Sequence, residues 1–274
     1  MTKSIQKSLP FMPYEEQQQI TRLCVRCGLL LMQYGAESAV VVDLTKRLGI
    51  ALGVASVECA VSFNALTLTT LYNGRCITTT RDTVNQGINV NILVQIQQIV
   101  STVESAHRSA DTQDDLIADT QTNFDLMDRD VYPPWAVAMA VGGSCAGFAY
   151  LNGGNFSITA VTFVAGFIAM LMRIHFSKRY LNVFVSVILT AFIASLIGAT
   201  TYFFEASSYA EIAVASSVLL LIPSFPMINA MSDILKGYVN MGVARSIFTF
   251  MLVLSACVGI VFALLLLQIQ NWGL

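Results

Sequence analysis

The chain has 274 residues, of which 55% are hydrophobic and 12% are charged, and its mean hydropathy is +0.65. Ordinary soluble domains contain roughly 25% charged residues, so this composition excludes a soluble globule and a disordered chain. The net charge of −2 offers no basic surface that would bind nucleic acid.

Charged residues are concentrated in the first half of the chain. Residues 1–134 contain 10 Lys/Arg and 14 Asp/Glu, whereas residues 135–274 contain only 5 and 3. We therefore expect an N-terminal cytoplasmic α+β domain with an acidic linker over residues 1–130, followed by a transmembrane domain over residues 131–274. The first residues lack an apolar segment, so no cleaved signal peptide is expected.

Helices and a small sheet are predicted for the first domain. Apolar residues recur at helical spacing in three segments, which are 14–34, 38–52 and 91–107. Residues that favour strands dominate three others, which are 56–63, 66–72 and 75–80. Between the last two strands, Asn73-Gly74 predicts a tight hairpin, because both turn residues need a positive φ.

Two features of this domain each have a structural and a chemical interpretation. Cys24 and Cys27 lie three residues apart on the first helix, either as small core residues or as a redox or metal pair. The aspartates from Asp111 to Asp130 form either a solvated linker or a cation site, and they lack the glycine of a calcium loop. We adopt the structural interpretation for both features.

Catalytic motifs are absent from the sequence. It has only two histidines, His107 and His175, and it has no Gly-x-Ser-x-Gly, no Gly-rich phosphate loop and no metal-spaced His/Cys/Asp cluster. We therefore expect no enzyme activity, no cofactor and no metal site. A membrane-anchored sensor or enzyme, with its activity in residues 1–125, is the alternative from a different functional class.

The second half contains five candidate spans, since about 20 apolar residues cross a bilayer as a helix. They are Trp135–Leu151, Phe156–Met172, Leu181–Phe204, Ala210–Met231 and Ser246–Leu267. The predicted fold class is therefore an integral membrane α-helical bundle of about five transmembrane helices with an N-terminal cytoplasmic α+β domain.

Basic residues are confined to two of the loops that join these spans. Arg173, Lys178 and Arg179 follow the second span, and Lys236 and Arg245 follow the fourth. The positive-inside rule assigns both loops to the cytoplasm, so the N-terminus is expected inside and the C-terminus outside.

Small residues indicate close helix packing in this half. Gly143 and Gly147 are four residues apart in the first span, which lets helix backbones approach each other or a substrate. The third span has a similar face of alanine, serine and glycine. A single anchor has no use for such faces, so they favour a bundle or an oligomer.

Two prolines interrupt the fourth span. Its apolar run from Ala210 to Ile222 is about 20 Å long as a helix, which is short of a bilayer. Pro223 and Pro226 each remove a backbone donor, and together they predict a break inside the membrane. Carbonyls freed there need protein or a wet cavity around them, as in the broken helices of transporters.

Polar residues follow this break. Asn229 and Asp233 are four apart and would share a helix face. A carboxylate at membrane depth marks an ion or substrate path by default. The rival interpretation puts Asp233 in the cytoplasmic headgroup zone, where a straight fourth span would end.

Three stretches of the sequence stand out as motifs. They are the run Leu219–Asp233 with Gly237, Gly242 and Arg245, and the segments Cys27–Ser38 and Trp135–Gly147. The first resembles the threonine/serine exporter family, and the other two are similar to its short, split branch, the YjjP type. The resemblance covers residues 14–270, and the double-proline block is its most specific part.

The resemblance implies an exporter of small carboxylated metabolites in the bacterial inner membrane, driven by the proton gradient. The split branch implies half of an exporter, without the second hydrophobic domain of single-chain members, which works with a small membrane subunit of the YjjB type. Its implied substrates are succinate and related dicarboxylates. The C-terminus would then lie in the periplasm.

The broken span, the packed bundle and the resemblance together suggest roles for the residues near the break. We expect a substrate cavity beside Pro223 and Pro226, with Asn229 as a hydrogen-bond donor and Asp233 as a candidate proton carrier. Arg245 is expected either to pair with a substrate carboxylate or to anchor the cytoplasmic loop. Threonine or serine stays open as a substrate, because its ammonium group needs an anionic partner, which Asp233 or Glu211 would supply.

Overall fold

The structure is a computed structural model that describes residues 12–83, 87–107, 113–128, 132–179, 181–204 and 207–269. The chain forms two compact units. Unit 1 is Met1–Arg129 with Ile228–Ser246, and unit 2 is Asp130–Met227 with Ile247–Leu274. The acidic positions Asp111 and Asp130 lie outside the described residues. The assignment of residues 1–130 to the cytoplasm and of 131–274 to the membrane stays a prediction.

Unit 1 contains the predicted helices and a small sheet. Its elements up to residue 129 are α1 (Tyr14–Gln33), α2 (Ser38–Ala51), β1 (Ser56–Val61), β2 (Ala65–Tyr72), β3 (Arg75–Asp82), α3 (Val90–His107) and α4 (Gln113–Asp125). The three predicted helices and three predicted strands are confirmed.

The sheet is antiparallel, with β2 between β1 and β3. The hairpin between β2 and β3 is the predicted one, since Asn73 and Gly74 have φ values of 45° and 77°. Leu66 and Leu68 of β2 are completely buried, because alternate residues of a strand face the same side. That side of the sheet packs against helix α1.

Helix α4 lies where the sequence predicted a solvated linker. Its apolar residues Leu116, Ile117 and Phe124 recur at helical spacing and are buried in the core of unit 1. The linker interpretation of the stretch from Asp111 to Asp130 is therefore wrong for the described residues 113–125, which form a packed helix. The exposed aspartates lie on the other face of the helix.

The described residues of unit 2 form helices joined by short turns, and no strand. Its elements are α5 (Pro134–Leu151), α6 (Phe156–Lys178), α7 (Val183–Gly198), a 3-10 helix (Ala199–Phe203), α8 (Ser207–Ser217) and a 3-10 turn (Leu219–Leu221). Two further helices run from one unit into the other, α9 (Ser224–Leu235) and α10 (Val239–Leu266).

The described residues supply four or five candidate membrane spans. Four helical segments are long and apolar enough, which are Pro134–Leu151, Phe156–Lys178, Val183–Phe203 and Val239–Leu266. The bent pair Ala210–Leu221 and Ser224–Leu235 makes a fifth if it is one span. These helices are those of a multi-pass membrane protein.

Two predicted loops are shorter than the sequence suggested. Helix α6 continues to Lys178, so Arg173 and Lys178 belong to its last turns rather than to a loop. Helix α10 begins at Val239, seven residues before the predicted start, so Arg245 is also helical. These helices continue through their basic residues because lysine and arginine have high helix propensity.

Glycines allow close helix packing in unit 2, but Gly143 and Gly147, the two that the sequence singled out, are not among them. A Cβ on Gly142 would lie 2.8 Å from the carbonyl oxygen of Phe163, so α5 and α6 approach closely there. A Cβ on Gly143 or Gly147 would meet no described atom within 4 Å. The packing predicted for Gly143 and Gly147 therefore does not occur within the described chain, and it stays a prediction for a contact with another chain.

Candidate functional site

The predicted break of the fourth span is present in unit 2. Helix α8 ends at Ser217 and α9 begins at Ser224. The segments Ala210–Leu221 and Ser224–Leu235 are bent by 58° relative to each other. Pro223 lies in the break itself. Pro226 lies in the first turn of α9, where a missing N–H costs nothing, so Pro223 and not Pro226 ends the helical path.

Carbonyl groups at the break are largely paired within the chain. Leu221 N–H donates to Val218 O at 2.9 Å and Ile222 N–H to Leu219 O at 3.2 Å. The guanidinium of Arg173 donates to Leu220 O at 3.2 Å. These oxygens therefore have protein donors, which is one of the two ways in which a broken helix is tolerated in a membrane.

Asp233 and Arg245 form a buried ion pair in unit 1. Arg245 Nη1 donates to Asp233 Oδ2 at 2.7 Å, and the side chains are 9% and 0% exposed. The other oxygen of Asp233 accepts the backbone N–H of Ser38 at 2.8 Å. Arg245 Nη2 donates to Ala36 O at 2.8 Å. Both charged groups are thus satisfied by each other and by the turn that joins α1 to α2.

The α1–α2 turn presents its backbone to this pair for a local reason. Gly35, at φ 90°, ends α1, and Ala36 N–H then bonds back to Leu31 O. Helix α2 starts directly afterwards, and the side chain of its N-cap residue, Glu37, does not cap it. Asp233 supplies the missing acceptor, and its negative charge suits the positive end of the α2 dipole.

Three more side chains, those of Asn229, Ser232 and Lys236, bond to the same turn. We call the whole set the Asp233 network: Asn229, Ser232, Asp233, Lys236 and Arg245 with residues 35–38. Asn229 Nδ2 donates to Gly35 O at 2.7 Å. Ser232 Oγ donates to one oxygen of Glu37 at 2.6 Å, and Lys236 donates to the other. The hydrogen bonds from Lys236 and Ser232 hold the pKa of Glu37 below its ordinary value.

A tight approach of α9 and α10 positions Arg245 beside Asp233. Gly237, at φ 86°, ends α9, and the chain reverses into α10 within a few residues. A Cβ on Gly242 would lie 2.8 Å from Ala230 O, so only glycine fits this crossing. Arg245 follows one turn later.

Sequence reasoning found part of this network. The shared face of Asn229 and Asp233 was predicted, and both side chains bond to the α1–α2 turn. It missed that Arg245 pairs with Asp233, and that residues 35–38 receive them. Pro223 and Pro226 lie in unit 2 and have no part in these bonds. The roles of all five residues in transport stay predictions.

Comparison with known proteins adds the family. Residues 22–267 match the model of a family described as "Putative threonine/serine exporter". The chain belongs to this family. No solved structure matches it.

Relatives resemble the chain along most of its length. It is 42% identical over 262 residues to a protein of Escherichia coli named "Probable succinate transporter subunit YjjP", covering 95% of this chain and all of that protein. A Klebsiella aerogenes protein of the same name is 40% identical over 94% of this chain and 98% of its own length. An uncharacterized Haemophilus influenzae protein is 44% identical over 55% of this chain and 48% of its own.

Proposed function

We propose that the chain is a subunit of an exporter of small carboxylates in the bacterial inner membrane, with succinate and related dicarboxylates as substrates. The observation that carries this proposal is the 42% identity to a probable succinate transporter subunit along that protein's entire length. The apolar helices and the broken span support a transport role over a simple anchor. The N-terminus lies in the cytoplasm and the C-terminus in the periplasm.

Coupling to the proton gradient resides in the Asp233 network under this proposal. Asp233 accepts two hydrogen bonds as a carboxylate, from Ser38 N–H and from Arg245. A proton on Asp233 removes the charge that holds Arg245 and weakens the tie to α2. Protonation of one group would thereby release two chain segments at once and leave Arg245 available for a substrate carboxylate.

A small membrane subunit of the YjjB type completes the exporter. The relatives' name calls those proteins subunits, and the matches cover 95% and 94% of this chain. Gly143 and Gly147, which no described residue covers, offer a surface on α5 where a second chain's helix could approach closely.

Threonine or serine is the second candidate substrate, because the matching family model is described as a threonine/serine exporter. Such a substrate carries an ammonium group as well as a carboxylate, so it would use Asp233 and Arg245 together. A dicarboxylate would use Arg245 and a second donor-rich group instead.

Efflux from cells tests the proposal and separates the substrates. Cells lacking the gene are compared with cells that express the chain with its partner subunit, and the release of succinate, threonine and serine is measured. We expect the chain to increase succinate release and the Asp233→Asn variant to abolish the increase, while Lys46→Gln, at an exposed position outside the Asp233 network, retains most of it. Equal succinate release with and without the chain would overturn the proposal, and release of threonine alone would favour the second candidate.

A further inference from the structure

A pocket in unit 1 lies between helix α1 and strand β3, apart from the Asp233 network. Its volume is about 560 Å³, within the range of roughly 300–1,000 Å³ that small-molecule sites occupy. Arg22 and Arg26 line it from α1, and Arg81 lines it from β3, with apolar contacts from Val25 and Ile77. None of the described lining residues is acidic.

The strand wall of this pocket is mostly polar. In the register of β2 and β3, Arg81 pairs with Leu66 and Thr79 with Leu68. Paired residues lie on the same face, and both leucines are buried in the core of unit 1. Thr79, which is half-buried, and Arg81, which is exposed, thus lie on the same face of the sheet as these leucines, at its margin.

The three arginines differ in their protein partners. Arg26 is held in place, since Nη1 lies 2.6 Å from Asp125 Oδ1 and the guanidinium lies over the ring of Phe124. Arg22 and Arg81 have no carboxylate partner among the described residues. They stand on opposite walls, one on α1 and one on β3. Both residues line the same cavity, and both are exposed to solvent.

We propose that this pocket is a second binding site of the chain and that it takes a small dicarboxylate. Each guanidinium can hold one carboxylate through two parallel hydrogen bonds, so a ligand with two carboxylates bridges Arg22 and Arg81. The charge of Arg26 is balanced by Asp125, so Arg22 and Arg81 are the two groups that we expect to hold the ligand. The choice of succinate as the ligand rests on the proposed function. The preference for two carboxylates rests on the two arginines, Arg22 on the α1 wall and Arg81 on the β3 wall.

Binding of radiolabelled succinate to the purified full-length chain tests the site. We compare the wild type, the R22Q/R81Q variant and K46Q, which removes an exposed charge of α2 outside the pocket. The R22Q/R81Q variant is expected to weaken this binding at least about tenfold, equivalent to 1.4 kcal/mol, and K46Q to leave it unchanged. Unlabelled succinate is expected to displace the label, and acetate is not.

Two results would overturn the pocket: no succinate binding by the wild type, or equal binding by the wild type and R22Q/R81Q. The R22K/R81K variant, which keeps the charge but loses the paired hydrogen bonds, gives a second measurement, and it too is expected to bind more weakly. If succinate binding depends on Arg22 and Arg81 while succinate release from cells does not depend on the chain, the pocket stands and the proposed function fails. If succinate release depends on the chain while succinate binding does not depend on Arg22 and Arg81, the proposed site is wrong and the proposed function stands.

Discussion

Arg245 lies 2.7 Å from Asp233 across the turn between α9 and α10, and each also bonds to the backbone of the α1–α2 turn. Ser38 and Asp233 are 195 residues apart in sequence. The pair therefore fixes the N-terminal start of α2 to the last helices of the chain. A buried ion pair is costly to assemble, and removal of one partner leaves an unpaired buried charge.

Truncation of either partner is expected to destabilise unit 1 strongly. Asp233→Ala and Arg245→Ala should each lower the free energy of unfolding by about 3–5 kcal/mol, because each leaves a buried charge unpaired. The double variant should lose less than the sum of the two. Lys236→Ala is the matched control, since its ion pair with Glu37 is half exposed and worth about 1 kcal/mol or less. Denaturant unfolding of the full chain measures all four, and strictly additive losses would contradict the coupling.

The lowered pKa of Glu37 predicts that the folded chain loses stability in acid. Its pKa in the folded chain lies below the ordinary value of 4.5 because Lys236 and Ser232 donate to the carboxylate. A carboxyl with a lowered folded pKa stabilises the fold above its unfolded pKa, and this contribution disappears as the pH falls through the folded pKa. Melting temperatures measured from pH 7 down to pH 3 should therefore decline less steeply for Glu37→Gln than for the wild type. If the melting temperatures of the two proteins fall in parallel as the pH decreases, Glu37 does not cause the loss of stability in acid.

Local patterns in the sequence predicted much of the fold. The helices and strands of unit 1 follow from apolar periodicity, and the β2–β3 turn follows from Asn73-Gly74. The broken fourth span follows from Pro223. Helix α4 was hidden because its aspartates suggested a solvated linker, although Leu116 and Phe124 are buried.

The candidate site was harder to predict, because its contacts are not local. Asn229 and Asp233 share a helix face, which spacing alone reveals. Their acceptors and donors on the α1–α2 turn lie 194 and 195 residues away, and periodicity carries no information on such pairs. Arg245 was assigned to a loop, so its burial beside Asp233 was not expected.

Glycine positions in the spans provide a matched pair of substitutions. A Cβ on Gly259 would collide with the backbone oxygen of Ile188 and would lie 2.7 Å from Ala191 Cβ. Gly259→Ala should therefore destabilise the chain by about 1–3 kcal/mol, as overpacking does. Gly143→Ala is the control and should not destabilise the chain, because no described atom is near and alanine is favoured over glycine in a helix by up to about 1 kcal/mol. Thermal unfolding in detergent gives the comparison, and equal losses would contradict the close approach of these helices.

The reactivity of the cysteines tests whether Cys24 and Cys27 are a core pair or a redox pair. Cys24 and Cys27 are completely buried free thiols, and burial raises the pKa of Cys27 to about 12, whereas Cys76 is exposed. Thiolate is the reactive form, so a maleimide at pH 7.5 should label Cys76 rapidly and leave Cys24 and Cys27 unmodified until the chain is unfolded. Mass spectrometry of the labelled peptides gives the readout, with the Cys76→Ser variant as the control. Rapid labelling of Cys24 or Cys27 in the folded chain, or a disulfide between them after mild oxidation, would instead support the redox interpretation.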